Sequence, residues 1–440
     1  MEKWENDVKD YVNGPLPDQI EKRIQSTFHQ LPRKKKKPVW MYSVAAAVIA
    51  FSILVGGSFL SPAFADTLKG IPIIGSLFEK FGDEGIQHAE KEGLGTPMYE
   101  VIDIEGKTVT FTKYIYDGSR IALEFKVDPY ESFYPDHQRP YDIFGIVNKF
   151  FVNGELLQNP KLNIQSTKMP DGSIVGVMKL SPDESLPKAF NLRFKSDYTW
   201  VKEDGQIEVK RNIDTNTVVL DKTFKSDEIT LTYEDVSVSP LTTSVNIKAK
   251  IKTKLWEEEH FDFQVIDSNG NVLGNIPTGF GGPIYDGYLH VDIKQFFNPI
   301  EHDSEFITIR PYLLNHDIFH EDSTQYSKKW TEEPMTLSQG ELGDIKVLDV
   351  NQQGDEVKVT FQPLGEFPHL QNDVYVSHTE QPNFYGYEDI SEVEYVNGEP
   401  QFTLTVRGFP KKGDMYIGTR KREVAPTVLE EFEITVPLTD

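Results

Sequence analysis

The sequence predicts a mainly β protein, with a single N-terminal transmembrane α-helix followed by tandem β-sandwich domains. Three observations carry that expectation. Positions 39–65 form 27 consecutive residues without a charge, directly after the run Arg33, Lys34, Lys35, Lys36 and Lys37. Beyond about residue 97 the chain becomes short β-branched and aromatic strands divided by Asn, Asp, Gly and Pro, the texture of antiparallel sheets. Within that region a hairpin-shaped pattern recurs roughly every 100 residues, the size of one sandwich.

An apolar stretch of about 20 residues crosses a bilayer as a helix, and clustered Lys and Arg hold their end of it on the cytoplasmic side. Trp40 and Tyr42 stand near the basic end, where aromatic rings favour the headgroup layer. Ser43 and Ser52 interrupt an interior of Ala, Val, Ile, Leu and Phe. The expected layout is a cytoplasmic tail over 1–37, a span over 38–62 and a large C-terminal part outside the cell membrane. Arg33, Lys34, Lys35, Lys36 and Lys37 set that topology. Ala63, Phe64 and Ala65 followed by Asp66 also have the small-x-small pattern of a signal-peptide cleavage site. The apolar stretch exceeds the roughly 7 to 15 residues of a signal h-region and some 37 residues precede it. A retained anchor is therefore expected, with regulated cleavage at Ala63, Ala65 and Asp66 as a further expectation.

The 440 residues include no Cys, which excludes disulfide frameworks, thiolate metal sites and cysteine nucleophiles. The net charge of −24 is uneven, because residues 1–38 hold nine Lys or Arg against six Asp or Glu. The acidic remainder disfavours nucleic acid and anionic polymers as outer partners, and no direct nucleic-acid binding is expected.

The tail reads as two short amphipathic helices. Trp4, Val8, Tyr11 and Val12 fall at helical spacing, and Ile20, Ile24 and Phe28 recur every four residues after Pro15 and Pro17. Neither stripe buries a core of its own, so Trp4, Val8, Tyr11, Ile20, Ile24 and Phe28 are the candidate partner-binding anchors. Beyond the span, a juxtamembrane helical segment is expected over 63–97. Ile71, Ile73, Ile74, Leu77, Phe78 and Phe81 make its apolar face and Asp83 to Glu92 its polar helix. It would rest on the outer leaflet or pack on the first outer domain.

Three sandwiches are expected, over 98–200, 218–320 and 336–440. Lys107 to Val127, Asp227 to Ile251 and Gly343 to Leu364 each read as strand, polar turn and strand. Each is followed by a similar closing strand, starting at Phe190, Phe306 and Phe432. Val152–Glu155 and the turn holding Asp267, Ser268, Asn269 and Gly270 read as hairpin turns.

Few residues suggest chemistry. Asp267, Asn269 and Asn271 have calcium-loop spacing but lack the closing acidic ligand. His316 and His320, with Glu321 beside them, would face one metal if helical, but read more simply as surface residues. Phe133, Tyr134, Tyr141, Phe144 and Phe150 fit a core better than a ligand face. No nucleophile elbow, phosphate loop or spaced metal-ligand pair is present, so no enzyme activity, metal or cofactor is expected.

The segment SPAFADTLKGIPIIGSLFEKFGDEGIQHA, after a basic cluster and one span, resembles a family of Gram-positive bacterial single-pass membrane proteins of unassigned function. Leu220 to Leu314 is similar to the immunoglobulin-like domain often appended to that family. The resemblance implies tandem immunoglobulin-like β-sandwich domains and an anti-sigma factor, or negative effector, of an extracytoplasmic-function sigma factor. The tail lacks the His and Cys zinc motif of many anti-sigma domains. The other reading is an envelope structural or ligand-binding protein with a purely topogenic tail.

Overall fold

The computed structural model describes residues 76–438, apart from 105–106, 129–148, 159, 183, 196–204, 277–279, 301–303, 316–324, 381–387, 392–393, 397 and 412. The chain divides into two units, 1–70 and 71–440, and all described residues belong to the second. The expected tail, span and cleavage site lie outside the described residues. No helix among the described residues is long and apolar enough to cross a membrane.

Two short helices open the described chain, α1 (Leu77–Phe81) and α2 (Glu84–Lys91). Both needed partners for their free N-terminal amides. Glu124 accepts from Phe78 N at 3.1 Å and from Ser76 Oγ at 3.0 Å, while Asp83 caps α2 by accepting from Ile86 N at 3.2 Å.

The first sandwich follows as β1 (Thr96–Ile104), β2 (Lys107–Tyr116), β3 (Ile121–Asp128), β4 (Lys149–Val152), β5 (Glu155–Leu156), β6 (Lys161–Lys168), β7 (Ile174–Ser181), β8 (Ala189–Lys195) and β9 (Gly205–Lys210). One sheet runs β1-β2-β3-β7-β6 and faces a second, β5-β4-β8-β9. Phe111, Phe150 and Phe194 fill the space between them, with Phe111 stacked on Phe194 at 5.6 Å between ring centres. Strand β7 is buried on both faces. Ile174, Met178 and Leu180 enter that core, whereas Val175 and Val177 meet Leu77, Phe78, Ile86 and Ala89 of the helices. The apolar residues of α1 and α2 therefore lie on the first sandwich, one of the two packings expected for this segment.

The second sandwich comprises β10 (Asn216–Lys225), β11 (Ile229–Val238), β12 (Thr243–Lys252), α3 (Thr253–Glu258), β13 (Glu259–Asp267), β14 (Asn275–Ile276), β15 (Ile284–Tyr285), β16 (Tyr288–Phe297) and β17 (Phe306–Asn315). The third comprises β18 (Gln325–Lys329), β19 (Met335–Ser338), β20 (Asp344–Gln353), β21 (Glu356–Pro363), β22 (Val374–Ser377), β23 (Glu388–Ile390), β24 (Glu394–Val396), β25 (Glu399–Arg407) and β26 (Tyr416–Arg420). Its sheets, β19-β20-β21-β25-β23 and β18-β26-β22, enclose Phe361, Phe402 and Phe409. The three repeated stretches are the hairpins β2–β3, β11–β12 and β20–β21, each antiparallel.

The last strands depart from the expected layout. β27 (Thr427–Val428) and β28 (Ile434–Pro437) pair with β17 of the second sandwich, Ile307 opposite Val436 and Ile309 opposite Ile434. Phe432, Ile434 and Val436 lie in the second core, and Tyr233 Oη donates to Phe432 O at 2.7 Å. The strand expected to close a third domain over 336–440 thus completes the second, and the third sandwich is an insertion between β17 and β27. Alternation at 432, 434 and 436 specifies a strand with one buried face; it does not choose between two sheet edges.

Phe432→Ala removes a ring that is 1 % exposed and should destabilise the second sandwich by about 3–5 kcal/mol. Urea unfolding followed by hydrogen exchange should show that loss in β11, β13 and β17, with β20 and β21 affected far less.

Candidate functional site

The three sandwiches and Asp83, the cap of α2, surround a cleft of about 1020 Å³. The first contributes Arg120, Asn163 and Lys179, the second Trp256, Asp262, Gln264 and Gln295, and the third His369 and Phe402. Asp83, at the start of α2, lies in its wall.

At the junction of the first two sandwiches the geometry is built around Asp83 and Arg120, which are 8 % and 3 % exposed. Their side chains form an ion pair through Arg120 Nη2 and Asp83 Oδ2, and Lys179 Nζ stands 3.8 Å from the same oxygen. Arg120 Nη1 reaches across to Thr242 Oγ1 at 3.2 Å. Beside it Asp117 accepts from Ser239 Oγ of the second sandwich at 2.7 Å and from Arg120 N at 2.9 Å. Asn298 Nδ2 donates to Glu84 Oε2 at 2.6 Å. A Cβ on Gly85 would stand 2.0 Å from Leu241 O, so only glycine permits this approach of α2 to the second sandwich. The helical segment is thus clasped between two domains.

The second and third sandwiches meet through other groups. Gln264 Nε2 donates to Glu366 O at 2.8 Å. Tyr395 Oη accepts from Val272 N at 2.7 Å and donates to Val272 O at 3.1 Å. His369 Nε2 lies 3.2 Å from Val272 O, and the Tyr312 ring meets Phe367 edge-on at 4.9 Å.

Burial pushes the Asp83 carboxyl up, but Arg120, Lys179 and the Ile86 amide outweigh it and hold the pKa below the ordinary value. Burial raises Asp262, although the Phe263 amide, His260 and Tyr312 oppose it. It lowers His369, favouring the neutral imidazole, and pushes Tyr395 up to about 12.

Few of the sequence-predicted site residues fall among the described residues. Trp4, Val8, Tyr11, Ile20, Ile24, Phe28, the basic run and Ala63, Ala65 and Asp66 lie outside the described residues, as do His316, His320, Glu321, Phe133, Tyr134, Tyr141 and Phe144. Phe150 is a core residue of the first sandwich. Asp267 Oδ1 accepts from Asn269 N at 2.9 Å and Asn271 N at 2.8 Å, and Oδ2 accepts from Asn271 Nδ2 at 3.1 Å. Its carboxylate therefore folds the turn. No group of three or more His, Asp or Glu placed to hold a metal occurs among the described residues. Conversely, Arg120, Trp256, Gln264 and His369 carried no motif, and Asp83 was legible only as the first residue of a polar helix.

Two sequence families match parts of this chain. Residues 34–128 match one described as a "Domain of unknown function (DUF4179)", which takes in α1, α2 and β1–β3. Residues 215–361 match a "Family of unknown function (DUF5643)", which reaches from the second sandwich into β21 of the third. No curated protein matches the sequence. Among solved structures, the conserved domain protein from Bacillus anthracis is similar at 15 % identity, over 59 % of this chain and 90 % of that one, with a TM-score of 0.43. The N-terminal eight Ig domains of Down Syndrome Cell Adhesion Molecule show 10 % identity and a TM-score of 0.12, over 76 % of this chain; the match spans 40 % of that one.

Arg120→Met strands a buried carboxylate and should cost about 3–5 kcal/mol at neutral pH. In the wild type the folded pKa of Asp83 is depressed, so its contribution is present above the unfolded carboxylate pKa of about 4 and lost as pH falls through the folded value. In the variant Lys179 and the Ile86 amide still favour the carboxylate, but the Arg120 contribution is gone and burial opposes what is left, so the folded pKa of Asp83 rises. The variant's deficit should narrow as the pH is lowered and Asp83 takes up a proton, as measured by urea unfolding across pH.

Gly85→Ala should open the junction without touching the ion pair. Its expected signature is faster hydrogen exchange in α2 and in the β11–β12 turn.

Proposed function

We propose that this protein is a single-pass membrane-anchored regulator of the anti-sigma type. In this reading its cytoplasmic tail holds an extracytoplasmic-function sigma factor and its outer β-sandwiches, read as immunoglobulin-like, sense the envelope. No catalytic step is proposed. The observation that carries the reading is the position of α1 and α2. They follow the uncharged run by about a dozen residues, and they are clasped into the junction that walls the cleft. An occupant of that cleft would touch the segment next to the membrane, which is what a transmembrane message requires. The order of basic cluster, uncharged run and β-rich remainder supports the same reading.

Within that proposal Trp4, Val8, Tyr11, Ile20, Ile24 and Phe28 dock the sigma factor by the helix-in-groove mode. Ala63 to Asp66 is the site at which proteolysis would release it. The cleft itself favours a second reading, an envelope ligand-binding protein whose tail is topogenic.

Sigma-dependent transcription separates the two. In cells making the full chain with Trp4→Ala and Ile24→Ala, a reporter of the cognate sigma factor should rise several-fold; an unchanged reporter sinks the regulator reading and leaves the second. Ala63→Trp should abolish a stress-induced fragment seen on blots of the wild type, and identical fragments under every envelope stress would remove the cleavage step.

A further inference from the structure

We propose that the cleft between the three sandwiches is a binding site for an uncharged oligosaccharide. Its volume of about 1020 Å³ is at the upper end of small-ligand pockets, which run from about 300 to 1,000 Å³. That size admits several sugar rings and exceeds what a single ion or a monosaccharide would fill.

The chemistry of the wall selects the class. Trp256 of α3 and Phe280, both half-buried, meet with ring centres 5.8 Å apart and planes inclined at 47°. Two aromatic faces set at an angle make a corner for the C–H face of a pyranose ring, an apolar surface rimmed by hydroxyls. The hydroxyls need groups that both donate and accept, and side-chain amides do both in one plane. Asn163 and Gln165 of β6, both exposed, supply such amides in the wall.

Gln264 is the pointed observation. It is 5 % exposed and lines the cleft. Its Nε2 is committed to Glu366 O, while Oε1 has no hydrogen-bond partner among the described residues. A buried acceptor left without a donor is unfavourable, and a ligand hydroxyl would satisfy it.

The absence of net charge on the ligand follows from what the charged residues already do. Asp83 is held by Arg120 and Lys179, and Asp262 accepts from Tyr312 Oη at 3.3 Å. A charged ligand would have to compete with these pairs inside a poorly solvated wall. The inference stands on the cleft and is independent of what the cytoplasmic tail holds.

The test is calorimetric titration of the full chain in nanodiscs with four probes: maltotetraose, N,N′,N″,N‴-tetraacetylchitotetraose, tetragalacturonate as an anionic sugar, and a six-residue Val-Thr peptide as an extended strand. One neutral tetrasaccharide should bind saturably at one per chain. Gln264→Leu and Trp256→Ala should each weaken it at least tenfold, while Trp330→Ala, outside the cleft, should not. In the wild type the same sugar should slow hydrogen exchange in residues 256–264, a readout that needs no variant to fold. Saturable binding by neither neutral sugar, tighter binding of the peptide or the anionic sugar, or no protection of 256–264 would each overturn the proposal.

Discussion

A carboxylate taken out of water has to be met by a cation, and in this molecule Asp83 meets Arg120. That requirement fixes more than a pair of side chains. Asp83 is also the cap of α2, so the helix cannot turn away without uncovering its own first amides. Arg120 stands between β2 and β3 and reaches the β11–β12 turn, so the same guanidinium ties the first sandwich to the second. A buried ion pair is weak evidence for stability, because desolvation offsets much of the attraction. Its clearer effect is on arrangement: few positions of α2 and of the second sandwich satisfy both groups at once.

The junction with the third sandwich uses different physics. There a phenol, an imidazole and an amide bind main-chain groups around Val272 and Glu366, and aromatic rings cover the remainder. Neutral groups of this kind lose little when water enters. One wall of the cleft is therefore held by charge that tolerates little displacement, and the other by contacts that can loosen and re-form.

Much of the fold was legible because strands announce themselves locally. The alternation in β11, with Ile229, Leu231 and Tyr233 inward, and the hairpin turn at Asn153 and Gly154, both at positive φ, follow from a few adjacent residues, whereas β9 of the first sandwich lies past its expected end at residue 200. The helix of α2 was legible for the same reason, although Asp83, expected inside it, caps it instead. What could not be read was which distant edge a strand would join. Phe432 to Val436 alternates as well for the third sandwich as for the second, and only the pairing with Ile307 and Ile309 decides it. The cleft was illegible altogether. Arg120, Gln264 and His369 are single polar residues inside ordinary strand or loop sequence, and their meaning comes from domain packing, which no short pattern encodes.

The inserted third sandwich has a consequence for the order in which the molecule can be completed. A chain made from its N-terminus presents β10 to β17 long before β28, and domains generally fold as they emerge. The second sandwich is then left with the edge of β17 open while the whole of its guest is synthesised. An open edge is a template for stray pairing. The guest must fold first and return the last strand, so the middle of the chain is the part that matures last.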